Sequence, residues 1–239
     1  MKKVSLHECT FSRQDFVLPE HPVGIEKNLE ILKSLLSTIC EVFWGPTLEL
    51  CSMFRSQQFW VSLVEIVEHL NISTSLILKL KRYTEQFDNP EQLLSELESE
   101  YVRLFINSVK GIRAPLYQSC YENPEQLLMR KSAIQMARRL EESGLKLSND
   151  LSEPPDHICV ELEYLYYLLS QGNNSGSIFN EKAVKFLCSV LLPWVEKFVS
   201  RIRKDEKDIF FSSWGEIMLG VLRGIDLCHT GRLTQTSTF

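Results

Sequence analysis

The chain has 239 residues, 44 % hydrophobic and 24 % charged, with 10 Gly and 9 Pro. This is the balance of a globular protein of one large or two small domains, and it excludes collagen-like and low-complexity chains. A net charge of −5 argues against nucleic acid as the main partner, which calls for a basic stripe; it suits a cationic one.

The seven Cys are widely spaced, odd in number and without a C-x-x-C pair. Most lie in apolar runs, where free Cys acts as a small hydrophobe, so a reducing compartment is expected. The N-terminus carries Lys2 and Lys3 but no apolar run that would make it a signal peptide. The longest apolar stretch, 186–195, is broken by Ser189 and Pro193 and falls short of the roughly 20 residues of a membrane span. A cytosolic location without stable membrane insertion follows as the expectation.

The periodicity is helical nearly throughout. Ile25, Leu29, Leu32, Leu36, Ile39 and Phe43 step by three and four, the stripe of an amphipathic helix. Pro46 permits a new start, and residues 47–55 predict a short apolar helix. Two further stripes follow, Phe59 to Leu70 and Leu76 to Phe87. Asn89-Pro90-Glu91 and Asn123-Pro124-Glu125 are written as the same helix start, Asn as the cap and Pro at the first helical position. The first of these helices should run to about Phe105, and the second should end near Glu142 with Gly144 as the left-handed residue beyond it. The copies lie 34 residues apart, but without a third copy they read as two similar caps rather than as a repeat. Residues 145–154 predict a polar loop. A helix is expected from Pro155 to before Gly172, and residues 172–177 (GNNSGS) predict a flexible loop. Asn180 caps the next helix, which Pro193 should kink or split. The last helix is expected over 207–228 and a frayed tail over 230–239. No β-alternation survives. The fold class is all-α, a single compact globular bundle of about nine to eleven helices over residues 1–229. Segments 108–123 and 145–154 are the places where two halves could hinge.

The usual catalytic signatures are missing. There is no phosphate-binding glycine loop, no H-E-x-x-H and no nucleophile elbow. His7/Cys9 and Cys228/His229 are too sparse to hold a metal alone. No catalytic residue, metal site or cofactor is therefore assigned. The Asn71 and Asn173 sequons mean nothing in a cytosolic chain. Two segments stand out. Residues 114–121 (APLYQSCY) sit in a connection of about 16 residues, a length uncommon unless functional. Its aromatics either plug the loop onto the core or line a groove. Residues 153–163 (EPPDHICVELE) hold four carboxylates and no Lys or Arg. With Pro155 at the first helical position, Asp156 would favour the helix dipole and His157 would stay neutral. The acids then make either a solvated face or a site that a cation visits.

These segments together resemble the TorD/DmsD/NarJ-type chaperones that mature molybdenum-cofactor redox enzymes. The resemblance rests on Glu100-Tyr101…Leu104-Phe105, on Pro115…Tyr117-Gln118-Ser119-Cys120-Tyr121, on Glu153…Asp156-His157…Glu161-Leu162, and on Phe186-Leu187…Leu191…Trp194. Their order and spacing agree across residues 100–194. Leu116 is inserted after Pro115, and Val190 stands where the family usually has His. The resemblance implies a cytosolic, non-enzymatic, all-helical chaperone. It would bind the twin-arginine leader or the core of the catalytic subunit of a molybdoenzyme, and delay export until the cofactor is in place. It would work as a monomer or homodimer. The peptide-binding residues expected on this basis are Tyr101, Tyr117, Ser119, Tyr121, Pro155, Asp156, His157 and Glu161. An apolar groove would supply affinity, and Asp156, Glu161 and Glu163 would supply register and choice of Arg. The competing expectations are a helical adaptor for another amphipathic peptide, and a nucleotide-binding protein or enzyme.

Overall fold

The computed structural model describes residues 25–229 apart from 71, 108–110, 123–127, 148–151, 172–179 and 206. The N-terminal segment with His7 and Cys9, the asparagines of both sequons, most of the second Asn-Pro cap, the Gly-Asn-Ser loop and the tail lie outside these residues. The same is true of the side chains of Cys228 and His229.

Ten α-helices run in chain order among the described residues: α1 Ile25–Trp44, α2 Leu48–Met53, α3 Gln57–His69, α4 Thr74–Thr84, α5 Pro90–Tyr101, α6 Lys131–Glu142, α7 Ile158–Ser170, α8 Glu181–Phe186, α9 Leu192–Arg203 and α10 Phe210–His229. No strand occurs among them, only one isolated antiparallel bridge between Tyr117 and His157. The stripes become the core. Leu32, Leu36, Ile39 and Phe43 of α1 are all buried, as are Leu63 and Val67 of α3 and Ile77 and Leu80 of α4. No described helix is long and apolar enough to cross a membrane, and no disulfide joins the described cysteines.

The caps follow the polar residues. The side chains of Thr47, Ser56, Asn89 and Asn180 accept the first-turn N–H groups of α2, α3, α5 and α8. Each supplies an acceptor to a donor that the helix itself cannot satisfy. Gly144 closes α6 at φ 71°, the left-handed region that a Cβ disfavours. At Gly220 of α10 a Cβ would lie 2.6 Å from Ile72 Cγ1, so the segment before α4 rests directly on that helix backbone.

Two helices widen rather than stop. A π-helical turn, Val102–Ile106, prolongs α5. A second, Leu187–Leu191, joins α8 to α9, with Pro193 in the first turn of α9. Pro193 thus does not interrupt the helical run, because the widened turn before it relieves the hydrogen bond that Pro cannot make. The core between these helices is aromatic. Phe43 meets the edges of Phe105 and Phe198 with ring centres 6.1 and 5.5 Å apart, and Phe105 meets Phe211 at 5.1 Å.

Three helix starts differ from the sequence-based boundaries. Residues 128–130 are not helical and α6 begins at Lys131, with Met129 just before it at φ 55°; the expected start at Asn123-Pro124 lies outside the described residues. The last helix begins at Phe210 rather than 207, because the Asp208 carboxylate takes the N–H groups of Phe211 and Ser212. The third, α7, begins at Ile158 rather than Pro155, and its cause is the candidate site.

Candidate functional site: a polar knot at the start of α7

The connection from α5 to α6 does not hang free. Gln118–Tyr121 forms a turn of 3-10 helix. The Gln118 N–H donates to the Asp156 carbonyl (3.0 Å) and the Ile158 N–H donates to the Leu116 carbonyl (2.8 Å). These bonds occupy the backbone of 156–158, which therefore cannot make a helical first turn. His157 becomes the cap, its Nδ1 accepting the Cys159 N–H at 3.2 Å.

Asp156 is fully buried and does not face its own helix. Its Oδ2 accepts the Ser119 N–H (2.8 Å) and the Ser132 hydroxyl (3.2 Å). One carboxylate thus ties the 114–121 loop and the start of α6 to α7. The Ser132 N–H in turn donates to Glu122 at 2.9 Å. His157 is sandwiched, stacked on Trp44 with ring centres 4.5 Å apart and edge-on to Tyr117 at 5.2 Å. Burial lowers its pKa from the usual 6.5 to about 3, so the ring is neutral. That agrees with the sequence-based expectation, but burial is the cause rather than the helix dipole.

The acids of α7 are neither solvated nor arranged as a surface edge. Glu161 and Glu163 are buried, and each accepts from a tryptophan: Trp194 Nε1 to Glu161 at 2.8 Å and Trp44 Nε1 to Glu163 at 3.0 Å. Burial raises the Glu161 carboxyl well above its usual range, against the opposing pull of the Trp194 hydrogen bond. A protonated acid is the form such a site tolerates. The expectation that Asp156, Glu161 and Glu163 present charge at a groove edge is corrected on this point. The reason is that α7 is enclosed on nearly every side, with α1 crossing it closely enough for Cys159 Sγ to lie 3.5 Å from the Cys40 carbonyl.

The remaining residues expected at the site divide by exposure. Tyr101 is buried, its hydroxyl donating to the Phe43 carbonyl at 3.1 Å. Tyr121 is buried, its hydroxyl on the Pro115 carbonyl at 2.9 Å, its ring against Trp194 and under the Arg201 guanidinium at 4.3 Å. Ser119 is fully buried. Only Tyr117 and Pro155 are partly open to solvent, beside Glu153, whose carboxylate accepts the Tyr117 hydroxyl at 2.5 Å. The structure therefore brings Tyr117, Ser119, Tyr121, Pro155, Asp156, His157 and Glu161 into one knot, while Tyr101 belongs to the aromatic core. Among the described residues, no hydrogen bond reaches Asp156 Oδ1, Glu161 Oε1, Ser119 Oγ or Gln118 Oε1, all buried. Reading the sequence did not single out Trp44, Ser132 or Arg201 as members. Trp44 closes α1 and Ser132 sits in the first turn of α6, and no local pattern links either to position 156.

Comparison with known proteins agrees with this set of segments. A family model described as nitrate reductase delta subunit matches residues 70–200, which include the knot except for Trp44 on α1 and Arg201. The chaperone protein TorD of Shewanella sp. (strain MR-4) is 28 % identical over 150 residues, 62 % of this chain and 66 % of its own. TorD of Aliivibrio salmonicida (strain LFI1238) is 27 % identical over 178 residues, 72 % of this chain and 80 % of its own. The chain thus spans just under two thirds of the Shewanella protein's length. A solved structure from Archaeoglobus fulgidus, named for redox enzyme maturation, shares 22 % identity at a TM-score of 0.49 over 80 % of this chain and 93 % of that one. These relatives are named as chaperones or maturation proteins rather than as enzymes. With the family model covering more than half of its length, the chain belongs to the nitrate reductase delta subunit family, the TorD-type chaperones among its relatives.

Proposed function

We propose that this protein is a cytosolic chaperone that holds an immature molybdoenzyme. In this reading it binds the twin-arginine leader, the core of the catalytic subunit, or both, and delays export until the cofactor is inserted. One observation carries the reading: residues distant in sequence, at 115–121, 153–161 and 194, meet in a single knot whose outer edge is Tyr117, Glu153 and Pro155. A leader joins an arginine pair to an apolar stretch. The Glu153 carboxylate is the accessible acid for the first, and the Tyr117 ring and Pro155 are apolar surface for the second. Arg–carboxylate pairing would select the leader, while apolar contact would supply most of the affinity. The buried members, Ser119, Tyr121, Asp156, His157 and Glu161, would set the position of that edge rather than touch the peptide.

Calorimetry with a twin-arginine leader peptide tests this. Glu153→Gln is expected to weaken binding by about fivefold, the size of one partly exposed charge pair, and to leave the fold intact. Replacing both arginines of the peptide by alanine should remove the difference between Glu153→Gln and wild type, since no cation then faces residue 153. Equal affinity of wild type and Glu153→Gln for the original leader would rule out this edge as the binding surface.

A further inference from the structure

The loop that presents Tyr117 meets a buried aspartate at each end. At its far end Asp156 accepts the Ser119 N–H. At its entry stands Asp205, in the connection from α9 to α10. Asp205 is buried, which a carboxylate accepts only when it is paired or hydrogen-bonded. Its Oδ2 accepts from the guanidinium groups of both Arg103 and Arg113, and its Oδ1 accepts the Lys207 N–H at 3.2 Å. Burial pushes its pKa up, but the Arg103 hydrogen bond, the Lys207 N–H and the two guanidinium charges outweigh that and hold the carboxyl below its ordinary range. One charged oxygen thus serves two cations.

The two arginines do different work. Arg103 lies in the π turn that prolongs α5, and it also reaches Glu100 at 3.9 Å, so it has a second acid. Arg113 opens the segment that runs on to Tyr117, and among the described residues Asp205 is the one acid it pairs with. Both side chains are partly exposed, so each gives up rotamer freedom that water would allow in order to reach the same acceptor. Directly after Arg113 the chain turns inward. The Ala114 N–H donates to the Leu104 carbonyl at 3.0 Å, Ala114 and Leu116 are buried, and Tyr117 emerges next, partly open to solvent. Without the carboxylate, two like charges would face each other at this entry. Position 205 lies beyond the family model's match to residues 70–200 and beyond the last motif at Trp194.

We propose that Asp205 is a positioning residue for leader binding: through Arg113 it fixes the entry of the loop that presents Tyr117 at the binding edge. The role rests on the proposed function and adds to it a residue that touches neither the leader nor the knot. Asp156 and Asp205 then hold the loop from opposite ends, the first through backbone and hydroxyl donors and the second through a charge pair.

Calorimetry with a twin-arginine leader peptide tests this on the full chain, beside hydrogen exchange without peptide and thermal unfolding of each variant. Arg113→Gln and Asp205→Asn should each weaken leader binding about fivefold and speed exchange at the Ala114 amide. The double variant should bind no more weakly than Asp205→Asn alone, because both changes break one link. Asp205→Glu keeps the carboxylate and should restore binding. Arg103→Gln cuts the other contact of Asp205 and should lower stability while leaving affinity near that of the wild type, a split that a merely structural role would not produce. Affinity that simply follows stability across these variants overturns the proposal, and so does wild-type affinity in Arg113→Gln. A wild type that does not bind the leader overturns the proposed function, and this role with it. A wild type that binds, beside an Arg113→Gln variant that binds equally well, removes the role of Asp205 alone.

Discussion

Two helix starts in this molecule use an aspartate, and they use it in opposite ways. Before α10, Asp208 accepts from Phe211 and Ser212, three and four residues on. Before α7, Asp156 leaves the cap to His157 and accepts from Ser119 and Ser132, 37 and 24 residues away. The first is a local cap. The second is a tertiary clamp, and it fixes the loop that bears Tyr117. A local cap decides where a helix begins, whereas a clamp decides where a binding edge sits, so only the second concentrates several family motifs around one carboxylate.

The contrast can be broken by deleting each carboxylate. Asp156→Ala leaves a buried amide and a buried hydroxyl without their acceptor and should cost about 2–4 kcal/mol in urea denaturation. Hydrogen exchange should rise at Gln118 and Ser119 while α10 keeps its protection. If the loss is small and those amides remain protected, Asp156 is no clamp.

Acid sharpens the comparison. His157 takes up protons with the usual pKa of 6.5 when unfolded and about 3 when folded. The unfolded chain therefore binds more protons between those values, and stability falls as pH drops from about 6.5 towards 3. His157→Asn, which can still cap α7, should flatten that part of the pH profile even though it loses the stacking on Trp44. An unchanged slope would show that His157 is not the group responsible.

The smallest effect is expected at the local cap. Asp208→Ala should cost about 1 kcal/mol, with faster exchange confined to the first turn of α10. A loss as large as that of Asp156→Ala, or deprotection reaching the Gln118–Tyr121 turn, would erase the distinction between the two aspartates.

Nearly every helix was legible because three-four spacing and polar caps are local signals: Asn89 and Asn180 cap the helices they precede, and Gly144 ends α6. The misplaced starts have different causes: at α10 it is the local cap of Asp208, at α6 residues 128–130 are not helical and Met129 stands at φ 55°, and at α7 a strand-like bridge from Tyr117 competes with the local pattern. Motif order pointed to the knot, but the burial of its acids was not legible. Four carboxylates without a cation read as a wet face, and the Trp44 and Trp194 indoles that receive Glu163 and Glu161 lie 119 and 33 residues away.

Sequence alone determined the all-helical class, most helix boundaries and the family, because helix periodicity, capping and motif spacing are properties of neighbouring residues. Tertiary structure alone decided that Asp156 clamps rather than caps, that Glu161 and Glu163 face indoles rather than water, and that Tyr117 with Glu153 is what remains at the surface. Burial and long-range hydrogen bonds depend on which distant segments the packed core brings into contact, and no window of sequence contains both partners.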